Sequence, residues 1–190
     1  MTDPPKETHL LTALRRRLRG TVVVAGVGNV LRADDGAGPR LVEMLQESLH
    51  AHTNSTYPIH LINCGTTPEN YIGRICRLQP DTVLVVDSGA AEGSVPGEVR
   101  IAETEELSER AFSTHELSPA LFMRRLKEES GADVFMAAVQ PGTRALGESL
   151  SDPVSQMLAK LCNVIEDVIR LKQRRATCRS PASGFPSLRL

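Results

Sequence analysis

Three short apolar runs constrain this chain more than anything else in it. They are TVVVAGV at residues 21–27, TVLVVD at 82–87 and VFMAAV at 134–139. Each has the length of a strand and lacks the polar alternation of a half-exposed one. A strand of that kind is buried on both faces, as in a parallel sheet covered by helices above and below. The intervening segments supply those helices. Residues 40–49 carry Leu41, Leu45 and Leu49 at i, i+4 and i+8, an apolar helical stripe. Thr67-Pro68-Glu69 reads as a helix start with Thr67 as N-cap and Pro68 at the first helical position, and that helix stops before Pro80. Ser118-Pro119 opens a helix to about residue 129. Asp152-Pro153 opens a long last one, with Val154, Met157, Leu158, Leu161, Ile165 and Ile169 on one face.

Residues 58–63 (PIHLIN) read as a further strand, and residues 97–102 (GEVRIA) as an alternating edge strand. Only residues 88–96 separate that edge from the strand at 82–87. Nine residues are too few for a helical crossover, which predicts that these two strands pair antiparallel. The expected fold class is therefore α/β, a single three-layer domain. Its twisted, mostly parallel five-stranded sheet has one antiparallel strand and helices on both faces. The expected organisation is a lead helix within 1–20, an α/β domain over 21–175 and a basic, disordered tail over 176–190. Residues 103–117 form a polar connection with weak helical character.

Charge and composition narrow the function. The net charge is −1 over 190 residues, and the chain has no Trp, two Tyr and four Phe. The near-zero net charge and the scarcity of stacking aromatics argue against a nucleic-acid partner. Charge is unevenly spread: residues 1–19 carry +3, residues 172–190 carry +5 and the body between them −9. No apolar stretch approaches a membrane span, and no early apolar run marks an export signal. A cytoplasmic location is expected. The four Cys form no C-x-x-C pair, so they are expected as free thiols.

In open α/β sheets ligands bind beyond the carboxyl ends of strands. That rule points to residues 26–38 after the first strand, 63–67 after the second and 87–89 after the third. The first segment, GVGNVLRADDGAG, begins like a dinucleotide loop. It has Leu31 where the third glycine belongs, and Asp34 and Asp35 would repel a pyrophosphate. Paired carboxylates in a glycine turn suit a cation better. Asp87 ends an otherwise apolar strand, where a buried carboxylate needs a partner. For Asp34 or Asp35 the alternative is capping the helix that begins near Gly36, and for Asp87 a cap or turn acceptor. Of the five His, His9, His50, His52 and His60 read as structural or exposed. His115 sits in a polar loop that could deliver it to the same edge. Cys64 is a conceivable nucleophile, but a small buried thiol is the simpler reading.

Several of these segments together form a pattern. Gly26-Val27-Gly28-Asn29-Val30-Leu31 is followed by Asp34-Asp35-Gly36-Ala37-Gly38-Pro39, then Cys64-Gly65-Thr66-Thr67-Pro68-Glu69-Asn70. Val85-Val86-Asp87, Pro96-Gly97-Glu98, Ser113-Thr114-His115 and Val139-Gln140-Pro141 follow in order. In this the chain resembles the hydrogenase maturation proteases, endopeptidases that finish the large subunit of nickel–iron hydrogenases. It looks closest to the branch serving hydrogenase 3, the formate-hydrogenlyase type. The resemblance covers about residues 21–170.

The resemblance implies that Asp35, Asp87 and His115 bind metal and act in catalysis, with Asp34 as a helper that orients water or else only caps the helix. Two carboxylates and an imidazole leave open positions on a borderline divalent ion. The resemblance implies nickel, supplied by the substrate, with zinc or cadmium as substitutes in vitro. It implies removal of a short C-terminal peptide from the nickel-loaded large-subunit precursor. A non-proteolytic nickel-sensing chaperone for the same precursor is the alternative. A monomer is expected. Many members carry Asp where this chain has Asn63, which leaves the carboxylate's role at that position open.

Overall fold

The computed structural model describes residues 6–50, 58–89, 94–107, 118–147 and 149–178. Five strands form one sheet: β1 (Val22–Val27), β2 (Ile59–Gly65), β3 (Thr82–Ser88), β4 (Val99–Ala102) and β5 (Asp133–Val139). Their spatial order is β2-β1-β3-β5-β4. β1 pairs parallel with β2 and β3, and β3 pairs parallel with β5. β4 runs antiparallel to β5.

The antiparallel edge strand is thus present, but its partner differs from the one expected. β5 inserts between β3 and β4, so β4 never bonds to β3. The reason is burial. β5 is buried over most of its length, whereas β4 is only half-buried. The more apolar strand takes the interior position beside β3 and leaves the shorter one at the edge.

Helices cover both faces. α1 (Lys6–Arg17), α2 (Ala37–His50) and α5 (Asp152–Cys178) lie on one, and α3 (Ile72–Arg77) and α4 (Pro119–Ser130) on the other. The two-residue period of the strands divides the core between them. Val22, Val24, Leu84 and Val86 meet Leu41, Leu45, Leu158 and Ile165. Val23, Ala25, Val83 and Val85 meet Ile72, Ile75, Phe122 and Leu126. The predicted stripe of α5 is buried at Val154, Leu158, Leu161, Ile165 and Ile169.

Local signals fared unevenly. The Ser118 hydroxyl accepts from the Leu121 amide at 3.2 Å with Pro119 at the first position, as a cap should. Thr67 occupies the cap position before Pro68 but makes no side-chain cap bond, and the first turn, Pro68–Tyr71, is 3-10. α1 is more than a lead: its Leu14, and Leu18 just beyond its end, are fully buried in the core. α5 continues to Cys178, into the segment expected as tail. The remainder, 179–190, and residues 108–117 of the polar connection lie outside the described residues.

Candidate metal centre at the carboxyl edge of the sheet

β1 is followed through α2 by β2 on one side, while β3 lies on its other side. The chain therefore diverges at the carboxyl ends of β1 and β3, where open sheets form their crevice. Asp35 lies just beyond β1, in the 3-10 turn Ala33–Gly36, and Asp87 is the penultimate residue of β3.

Glycines make the close approach possible. A Cβ on Gly38 would lie 2.2 Å from the Val86 carbonyl and 2.4 Å from that of Val27. The start of α2 thus rests directly on the backbones of β1 and β3. Gly28 has φ +133°, and a Cβ there would lie 1.9 Å from the Asp35 carbonyl and 3.7 Å from Asp87 Oδ1. Residues 28 to 35 close into a tight turn: the Asn29 amide donates to the Asp35 carbonyl at 3.0 Å, and the Asp35 amide to Arg32 at 2.9 Å. The Asn29 side chain also accepts from the Leu31 amide at 3.0 Å. Ala33, a non-glycine residue, is held at φ +43° in this turn.

The two adjacent carboxylates have opposite environments. Asp34 is fully buried. It accepts from the amides of Gly142 (2.8 Å), Thr143 (3.0 Å) and Ser151 (2.7 Å), and from the Ser151 hydroxyl (2.8 Å). Burial pushes its carboxyl up, but the bonds from Ser151, Thr143 and Gly142 outweigh it and hold the pKa below the ordinary value. These bonds secure the loop after β5 and leave little of the carboxylate for water or for a helix cap.

Asp35 is 28% exposed. Its Oδ1 accepts from the Ser88 hydroxyl at a long 3.4 Å, and Arg144 Nε stands 3.7 Å away. The Ser88 amide donates to Asp87 Oδ1 at 2.7 Å. Ser88 thus touches both acids and places Asp35 and Asp87 on one rim. His115 lies outside the described residues, and among those residues no cluster of three or more potential ligands occurs.

The other candidates resolve differently. Cys64 is buried, and desolvation pushes its thiol up to about 12, so it is protonated at neutral pH and no nucleophile. Asn63 is exposed at the end of β2, and its side-chain oxygen accepts from the Gly65 amide at 3.0 Å. An aspartate could accept the same bond, so the amide preserves the turn.

Arg144 was not singled out from sequence. Because β5 is parallel to β1 and β3, its following loop belongs to the same edge, and the carboxyl-end rule extended to β5 would have found it.

Comparison with known proteins agrees with this architecture. The family model for hydrogenase maturation protease (HycI) matches residues 39–168. The hydrogenase 3 maturation protease of Escherichia coli K12 is 30% identical over 147 residues, 77% of this chain and 89% of that protein. The crystal structure of a [NiFe] hydrogenase maturation protease HycI from Thermococcus kodakarensis superposes with TM-score 0.73 at 31% identity, covering 83% of this chain and 99% of that one. The solution structure of the Escherichia coli endopeptidase HycI gives TM-score 0.64 at 30% identity, covering 77% and 90%.

Proposed function

The chain belongs to the hydrogenase maturation protease family, and on that premise we propose that it removes a short C-terminal peptide from a nickel-loaded hydrogenase large-subunit precursor, using Asp35 and Asp87 to engage the substrate's nickel. The observation that carries this reading is the pair of carboxylates brought to one rim by β1 and β3, with Asp35 partly open to solvent and only loosely bonded. Oxygen donors of this kind suit a divalent ion that keeps other ligands of its own. His115 completes the set as the nitrogen ligand.

Each residue has a separable task. Asp35 and Asp87 supply negative charge at fixed strand ends. Ser88 holds Asp87 through its amide and Asp35 through its hydroxyl. Asp34 supports the opposite wall by tying the loop after β5 to the turn after β1. A nickel ion bound here would polarise a nearby carbonyl and acidify a bound water. Zinc and cadmium are expected to substitute in vitro. The protein acts as a monomer in the cytoplasm; among the described residues no helix is long and apolar enough to cross a membrane.

The test is intact mass spectrometry of the large-subunit precursor after incubation with this protein, with and without nickel loaded beforehand. Loss of one discrete C-terminal peptide in the nickel-loaded sample alone is expected. Equal cleavage without nickel would remove the metal from the reading. Binding without mass loss in either sample would favour the nickel-sensing chaperone instead.

A further inference from the structure

Arg144 has no part in the reaction just described, yet it lies across the rim. Its Nη2 donates to both the carbonyl and the hydroxyl of Ser88, each at 3.0 Å, and its Nε lies 3.7 Å from Asp35 Oδ1. The Ser88 hydroxyl accepts from Arg144 and faces Asp35, so guanidinium, hydroxyl and carboxylate form a short chain. The loop that carries Arg144 is fixed at both ends: Asp34 accepts from Gly142 and Thr143 on one side and from Ser151 on the other. A second tie runs from the Gly147 amide to the Leu31 carbonyl at 2.9 Å. The position of the guanidinium is built into the fold.

We propose that Arg144 is a tethered counter-cation for Asp35, a positioning residue that an arriving divalent ion must displace. The inference rests on the reading of Asp35 as a ligand to the substrate's nickel. Its consequence is selectivity. A free ion must displace the guanidinium with its coordination energy alone. An ion carried by a docked precursor has the rest of the protein contact to offset that cost. Arg144 is 42% exposed, so solvent screens the pairing and the displacement is within reach of a bound substrate.

The experiment is calorimetric titration of nickel chloride into the full chain: wild type, R144Q, R144K, D35N and the R144Q/D35N double variant, at low and high salt. R144Q is expected to bind nickel about tenfold more tightly than wild type, a difference of about 1.4 kcal/mol. R144K, which keeps the charge, should stay within about threefold of wild type, and the gap should narrow at high salt. A merely structural arginine predicts no gain in affinity on its removal. Loss of binding in the double variant would place the ion at Asp35.

Equal or weaker binding by R144Q, with D35N abolishing binding in both backgrounds, would overturn the counter-cation and leave the nickel reading intact. Absence of nickel binding by R144Q would also overturn it. The nickel reading then stands or falls separately, on whether D35N loses processing of the nickel-loaded precursor.

Discussion

Two arginines, at opposite edges of the sheet, meet aspartates in different ways. At the amino edge Arg17 forks onto Asp133, with Nε donating at 2.9 Å, and also pairs with Glu103. Its guanidinium stacks 3.9 Å over the Phe135 ring and is only 13% exposed. Burial lowers its pKa, but the bonds to Asp133 and Glu103 outweigh this and raise it overall. Beside it, the Thr82 hydroxyl lies within bonding reach of the Arg17 carbonyl at the end of α1 and the Arg19 carbonyl just beyond it, and Asp81 accepts from the Thr21 amide. At the carboxyl edge Arg144 approaches Asp35 only to 3.7 Å and is three times as exposed. The first edge is closed by its ion pairs, while the second keeps a carboxylate that can be reassigned. The contrast teaches that charge at a sheet edge is structural where its geometry is saturated, and available for chemistry where it is not.

The largest effect that could break this contrast is at Asp35. D35N should lower processing of the nickel-loaded precursor by at least about a hundredfold, with an unchanged denaturation midpoint. Near-normal processing would make the open rim incidental. Next is its neighbour. D34A removes the buried acceptor of three amides and a hydroxyl, so urea denaturation should show a loss of about 3 kcal/mol; a loss no greater than that of D35A would contradict the assignment of Asp34 to structure. R17M should cost less, about 1 kcal/mol, because both partner carboxylates are more than 40% exposed. Its processing rate should match wild type, since the amino edge takes no part in the reaction.

The smallest effect is the acid limb. The folded pKa of Asp34 lies below its ordinary 3.8. Its contribution to stability is therefore complete above that value and is lost as pH falls through the folded pKa. Stability measured from pH 5 downward should fall more steeply for wild type than for D34N.

Much of the architecture was legible because it follows from burial. The strands at 82–87 and 134–139 end within one residue of β3 and β5, since runs buried on both faces have no other home. The partner of β4 was not legible. Sequence separation forbids a crossover but does not say which more apolar strand arrives later to take the interior place. Asp35 and Asp87 could be placed at one rim because the first follows a recognisable strand and the second lies at the end of another. The division of labour between Asp34 and Asp35 could not, because Asp34 is defined by donors 108, 109 and 117 residues further on. Arg144 lay within reach of the carboxyl-end rule, because the strand at 134–139 is parallel to β3 and its following loop reaches the same rim.

Those long separations have a consequence for a chain in the making. Asp34 and Asp35 leave the ribosome more than a hundred residues before Gly142, Thr143 and Ser151. Until then the turn after β1 has one wall, and Asp34 has none of these three partners. A nascent or prematurely ended chain that stops short of Gly142 carries the paired-acid motif without the loop that makes one acid structural and gives the other its counter-charge. The rim is therefore completed late in synthesis, when the segment after β5 docks, so incomplete copies of the chain hold the paired acids but not the arrangement around them.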